Sequence, residues 1–178
     1  QTNSEDIINA AEAAARWLSF FHMKTEKKEK KKTTTKNYQE YFIEKIRYAH
    51  LDKSKSAKLE KMIKELVEKV DWEKVALCEF YGDFKAWNIL IDNNSGVSLI
   101  DIRPRVEYRF FYEDVFNFLS SLFILKIRTL KKNKRFNMLP KIEEAFMDAY
   151  FKDSGFYKDH YALKLFRINS YLTLAYNA

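Results

Sequence analysis

The polar residues with the most chemical promise lie in the run Tyr81-Gly-Asp83-Phe-Lys85-Ala-Trp-Asn88-Ile-Leu-Ile-Asp92 and in Leu99-Ile-Asp101. Between Asp92 and Val97 stand Asn93-Asn-Ser-Gly96, whose Asn and Gly tolerate the positive φ of a tight reversal, so Ile89 to Asp92 and Val97 to Asp101 are expected to form a β-hairpin. With Asn93 to Gly96 as a four-residue loop, Asp92 pairs with Val97 and Asn88 falls opposite Asp101. Directly opposed residues on one sheet face have Cβ atoms about 5 Å apart, close enough for two side-chain oxygens to share a divalent cation. Amide and carboxylate oxygens suit Mg²⁺, a hard ion that water and substrate phosphates complete. Asp83 precedes Asn88 on a loop that is expected to face solvent, so its carboxylate can address the same pocket.

The elements that must position these residues are mostly helical. Gly and Pro are scarce, with 3 and 2 in 178 residues, while Lys, Glu, Leu and Ala recur in long periodic stretches. Ile7, Ala11, Ala14, Leu18 and Phe21 step by three or four along a helix from Ser4 to His22, with Ser4 as a candidate cap. Further helices are expected over about 37–51, 54–70, 112–130, 139–151 and 159–176. The short apolar run Val75 to Tyr81, closed by Gly82, reads as a buried strand. The fold class is therefore mainly α with a small β-hairpin insert, and the polar residues of interest cluster on that insert.

This pattern resembles the aminoglycoside phosphotransferase and choline kinase-like family. Gly-Asp83-Phe-Lys85-Ala-Trp-Asn88-Ile-Leu-Ile followed by Leu-Ile-Asp101 is similar to that family's His-Gly-Asp-x-x-x-x-Asn loop and metal aspartate, an arrangement shared with the protein-kinase catalytic loop. Ala14-Ala-Arg-Trp-Leu-Ser-Phe-Phe-His22 resembles the family helix that ends in Leu-His, and Glu113-Asp114-Val-Phe-Asn-Phe-Leu119 its Asp-Leu-Ala segment.

The resemblance implies the C-terminal lobe of a protein-kinase-like (α+β) fold. It implies an ATP-dependent transfer of the γ-phosphate to a hydroxyl of a small molecule, with Mg²⁺ as cofactor and ATP as co-substrate. Asp83 would be the catalytic base and Lys85 would neutralise the transferred phosphate. Asn88 and Asp101 would hold the metal and, through it, the nucleotide.

The pattern also departs from the family. Tyr81 stands in the usual His position, Ala86 where Pro is frequent, and Ile-Arg-Pro-Arg follows Asp101. Nothing before Asp83 reads as a glycine-rich strand pair with a phosphate-binding Lys. Residues 1–178 are thus expected to form a single helical catalytic lobe without the N-terminal nucleotide lobe, and a start at Gln1 rather than Met fits an upstream segment. The alternative is a catalytically silent kinase-like binding module.

Other residues carry plainer readings. Asp114 is expected to cap the helix that begins near it and brace the catalytic loop, and His22 to be packed or capping rather than a ligand. His50 and His160 lack metal-ligand spacing. Trp87, Phe110 and Phe111 read as core, although Trp87 could line an acceptor pocket. Arg103, Arg105 and Arg109 could clamp an anion or pair with Glu107 and Glu113.

Charge and composition bound the rest. The net charge is +7, concentrated in a basic flexible loop over 24–36 and in a second run over 126–135. Neither run interleaves aromatics with its lysines, which argues against nucleic acid as a partner and ranks an RNA- or membrane-surface adaptor last. Polycationic aminoglycosides are poor acceptor candidates, because the last third of the chain gathers few carboxylates. The single Cys78 excludes an internal disulfide and points to a reducing, cytoplasmic setting. The apolar stretch Phe116 to Ile127 falls short of the roughly twenty residues a membrane span needs. Neither the acceptor nor the oligomeric state is legible.

Overall fold

The computed structural model describes residues 4–27, 35–49, 51–92, 94–101, 107–129, 138–152 and 154–176. The chain divides into two compact units, one of residues 1–27 and 76–157, the other of 28–75 and 158–178.

The first unit is built around α1 (Ser4–Thr25) and α5 (Leu139–Lys152). Alanines at 11, 13, 14 and 15 are all buried, as are Leu18 and His22, so α1 presents a small-residue face that α5 approaches closely with Ile142, Phe146 and Tyr150. Glu5 and Asp6 in the first turn of α1, and Lys24 in its last, agree with the helix dipole. Onto this pair pack α4 (Tyr112–Thr129) and two small antiparallel sheets, β1 (Leu77–Glu79) with β4 (Tyr108–Phe110), and β2 (Ile89–Ile91) with β3 (Val97–Leu99). The expected hairpin is present. Strand β4 was not expected; it pairs Leu77 with Phe110 and Glu79 with Tyr108.

The hairpin register differs from the sequence expectation by one residue. Ile89 pairs with Leu99 and Ile91 with Val97, and Asp92 N–H donates to the Gly96 carbonyl at 3.0 Å, so the loop has three residues rather than four. Two local features explain this. The Asp92 carboxylate accepts from the backbone N–H groups of Asn94 and Gly96, each at 2.8 Å, and tightens the reversal. Ser95 takes the left-handed conformation at φ 63, as the last residue of a three-residue loop does. Gly96 is required for space instead, since a Cβ there would run into the Asp92 carboxylate. Asn88 consequently lies across from Ile100, whose N–H donates to its carbonyl at 3.0 Å, and Asp101 stands one residue further on.

The second unit packs α2 (Thr35–Tyr48), α3 (Lys53–Lys69) and α6 (His160–Tyr176). Phe42, Ile46, Ile63, Val67, Leu165 and Phe166 are buried in its core; Phe42 meets Phe166 edge-on and Tyr38 stacks on Trp72 at 4.1 Å. Helix α1 runs on to Thr25 and α2 begins at Thr35, which leaves a shorter connection than the expected 24–36 loop; its residues 28–34 lie outside the described ones. The start of α6 depends on Asp159, buried, whose Oδ1 accepts from the N–H groups of Tyr161 at 2.7 Å and Ala162 at 2.8 Å while Oδ2 accepts from Asp71 N–H at 3.2 Å. Asp159→Ala is therefore expected to destabilise the protein by about 2 kcal/mol in urea unfolding, because it orphans three backbone donors; a loss of only a few tenths would show the cap to be idle.

Candidate functional site

The loop between β1 and β2 is held from below by one carboxylate. Gly82, at φ 84, turns the chain, and the N–H groups of Tyr81 and Gly82 donate to Asp114 Oδ2 at 2.7 Å and Oδ1 at 2.9 Å. Asp114 lies in the first turn of α4 and is 1% exposed, so the brace is dry. His22 Nε2 is 3.3 Å from the same Oδ2, and its Nδ1 is 2.7 Å from the Tyr150 hydroxyl. An Asp114 oxygen that already takes a backbone N–H has only acceptor capacity left, so the ring presents Nε2–H to it and Nδ1 accepts from Tyr150. Burial, followed by the charges of Cys78 and Asp114, pushes the Tyr150 phenol well above its ordinary value and keeps it a donor. Asp114 thus braces the loop as expected but lies inside α4 rather than capping it, and His22 is packed as expected. Tyr150, 128 residues from His22, was not anticipated.

A second pin lies two helical turns along α4. Ser121 Oγ accepts from Ala86 N–H at 2.8 Å and donates to the Phe118 carbonyl at 2.6 Å. Asp114 and Ser121, seven residues apart, are on one face of the helix and grip both ends of the loop. Phe84, fully buried, fills the space between them, stacked on Trp17 at 5.8 Å and tilted against Phe118 at the same distance.

On this support Asp83, Lys85 and Asn88 come together. Asn88 closes a single 3-10 turn, Ala86–Asn88, and its side-chain amide donates to Asp83 Oδ2 at 2.6 Å and to the Asp83 carbonyl at 3.0 Å. Lys85 Nζ forms an ion pair with Asp83 Oδ1. Asp83 is only 6% exposed, which corrects the expectation of a solvent-facing carboxylate: Phe84 draws its neighbour inward, and Asn88 and Lys85 compensate the burial. Trp87, expected in the core, is 40% exposed, with the Lys85 ammonium 5.8 Å from its ring centre.

Asp101 follows Ile100, the residue across from Asn88. It is exposed and carries φ 60, one of two non-glycine residues with positive φ among those described. A left-handed aspartate at the end of a strand is a strained position of the kind that clusters at ligand sites. No hydrogen bond joins Asp101 to Asn88 among the described residues, yet its charge acts on the Tyr81 hydroxyl. Burial first, then Asp83, Asp114 and Asp101, raise that phenol above its usual value. Arg109 is committed to ion pairs with Glu107 at 2.9 Å and Glu113 at 3.1 Å, whereas Arg103 and Arg105, like His50, fall outside the described residues.

The donor set fits a hard cation. The Asn88 amide oxygen and the exposed Asp101 carboxylate are oxygen donors of the kind a hard cation takes, although they are not the directly opposed pair the sequence predicts. Among the described residues no group of three or more His, Cys, Asp or Glu side chains could enclose a metal alone, so most of a cation's shell would come from water and phosphate, the usual habit of Mg²⁺.

Solved structures share this fold. A glucosamine kinase superposes with a TM-score of 0.73 at 15% identity, over 98% of this chain and 49% of the other. Glucosamine kinase in complex with glucosamine, ADP and inorganic phosphate gives 0.69, also at 15% identity, over 96% and 47%. The chain therefore has the fold of part of a kinase and spans about half the length of these structures. No family model matches the sequence, and no curated protein does. Among the described residues no helix is long and apolar enough to cross a membrane.

Proposed function

We propose that this chain is the catalytic half of an ATP-dependent phosphotransferase of the aminoglycoside phosphotransferase and choline kinase-like type, acting on a hydroxyl of a sugar-like small molecule. The observation that carries the proposal is the buried Asp83 carboxylate, gripped by Asn88 and Lys85 on a loop pinned at both ends, with a strained Asp101 at the end of the adjoining hairpin. The shared fold with glucosamine kinase, one structure of which holds a sugar and ADP, supports the same reading.

Asp83 accepts the proton of the acceptor hydroxyl as its oxygen bonds to the γ-phosphorus and the bond to the ADP oxygen breaks. Lys85, on the Asp83 oxygen that faces it, balances charge on the moving phosphoryl group. Asn88 orients Asp83, and Trp87 offers an indole face to the ring of the acceptor. Mg²⁺, held by Asn88 and Asp101, would neutralise phosphate charge. Little covalent work falls to the protein in such a reaction, and placement with electrostatic stabilisation does most of it.

The test is phosphorus NMR on the full-length protein with Mg-ATP and a panel of hexoses, hexosamines and cyclitols. A sugar phosphate accumulating in step with ADP is expected. Nucleotide binding without transfer to any acceptor would leave a silent binding module and overturn the reading.

A further inference from the structure

Tyr150 takes no part in the reaction scheme above, yet its hydroxyl enters the support of the reactive loop. Ile142, Phe146 and Tyr150 recur at four-residue steps along α5 and are buried against α1, whose small face at Ala11, Ala14 and Ala15 lets the two helices close. Tyr150 is fully buried, stacked on Phe111 at 5.7 Å and met edge-on by Phe151 at 5.1 Å. Phenylalanine would suit such a slot, and a phenol offsets its desolvation only where its hydroxyl has a partner. That partner is His22 Nδ1 at 2.7 Å.

From His22 the contacts continue without a gap to the base. Nε2 is 3.3 Å from Asp114 Oδ2, which accepts from Tyr81 N–H at 2.7 Å, while Oδ1 accepts from Gly82 N–H at 2.9 Å; Asp83 is the next residue. His22 is 0% exposed and Asp114 1%, so no water competes for these bonds. The weak link is the long one between His22 and Asp114. An imidazole held at that nitrogen alone can turn over about its Cβ–Cγ bond and lose only one long bond. A ring held at both nitrogens loses two, since carbons then take their places. Tyr150 therefore decides whether the ring stays behind Asp114, and Asp114 behind the loop.

We infer that Tyr150 is a positioning residue for phosphate transfer: by holding His22 Nδ1 it fixes the imidazole against Asp114, and through Asp114 it fixes the backbone that aims the Asp83 carboxylate at the acceptor hydroxyl. The inference rests on Asp83 as the base of the proposed reaction. A base acts only within hydrogen-bond reach of the proton it takes, so a small loosening of the loop slows the chemical step and leaves nucleotide binding alone.

The test compares the full-length wild type, Tyr150→Phe, His22→Ala and the double variant by steady-state kinetics and amide hydrogen exchange. Tyr150→Phe keeps the ring and its packing, so the fold should survive. Its kcat should fall about three- to tenfold with KM for Mg-ATP unchanged, the effect of one neutral hydrogen bond. The Tyr81 and Gly82 amides should exchange faster by a similar factor, while Ala86, pinned to Ser121, should keep its wild-type rate. In the His22→Ala background Tyr150→Phe should change neither quantity further, since its route to the loop is gone. An unchanged kcat, or unchanged exchange at Tyr81 and Gly82, would overturn the inference. So would exchange that rises equally at Ala86 and along α1, the mark of a merely structural residue, or a full additional loss of turnover in the double variant. A wild type that transfers phosphate to no acceptor would remove the role of Asp83, and the inference with it, even where exchange shows the support acting as described.

Discussion

Asp83→Asn is expected to lower phosphate transfer by roughly a hundred- to ten-thousand-fold, the usual contribution of a positioned general base. An amide cannot take the acceptor's proton, and it cannot hold Lys85 as a carboxylate does. The substitution will also cost stability, of the order of 1–3 kcal/mol, because the site is buried. The new amide must turn its NH₂ either towards Lys85 or towards the donating amide of Asn88, and both are donors. Activity and folding therefore have to be measured separately, with turnover taken well below the melting temperature of the mutant. A folded Asp83→Asn protein with wild-type turnover would remove Asp83 from the mechanism. Loss of activity that merely follows the unfolded fraction would make it a structural residue.

The legibility of this chain varies with the range of the interactions involved. Helices were readable because their signal is local and repeated: Ala11, Ala14 and Leu18 on α1, or Ile63 and Val67 on α3, mark the buried face directly. Asp83, Lys85 and Asn88 were readable as a group because six residues of one loop contain them all. The hairpin's existence was legible and its register was not. The loop length depends on the Asp92 side chain closing onto Asn94 and Gly96, and a one-residue change there moved Asn88 from Asp101 to Ile100.

Longer-range features left no such trace. Strand β4 is three residues long, too short for a period, and exists through its pairing with β1. Tyr150 gave no hint of its bond to His22. Ser121 stands within the apolar run Phe116 to Ile127, where a serine amid Phe118, Leu119 and Leu122 signals a buried hydroxyl in need of a partner, but nothing local names Ala86 as that partner. The exposure of Trp87 also escaped the sequence, since aromatic residues are ordinarily interior and the 3-10 turn that carries it outward is fixed by Ser121 and Asn88.

Asp114→Ala should be the most damaging substitution for the fold, destabilising it by about 3 kcal/mol or more. It leaves the N–H groups of Tyr81 and Gly82 without acceptors in a dry interior and takes from His22 one of its two partners. Asp114→Asn should cost less, because its oxygen can keep one backbone N–H, but its NH₂ must face another donor. His22→Ala tests how far the brace acts as a unit. In a double-mutant cycle with Asp114→Ala, the two losses should fall short of additivity by roughly 1 kcal/mol, as expected for residues in one hydrogen-bonded network. Denaturant unfolding of wild type and the four variants measures all of these terms. The same substitution should reduce turnover without touching the acceptor, since the Asp83 loop loses the support at its β1 end and keeps only Ser121. An Asp114→Ala protein within 1 kcal/mol of wild type would mean that the loop holds its shape through Phe84 and Ser121 alone, and that the Asp114–His22–Tyr150 chain is incidental to the site.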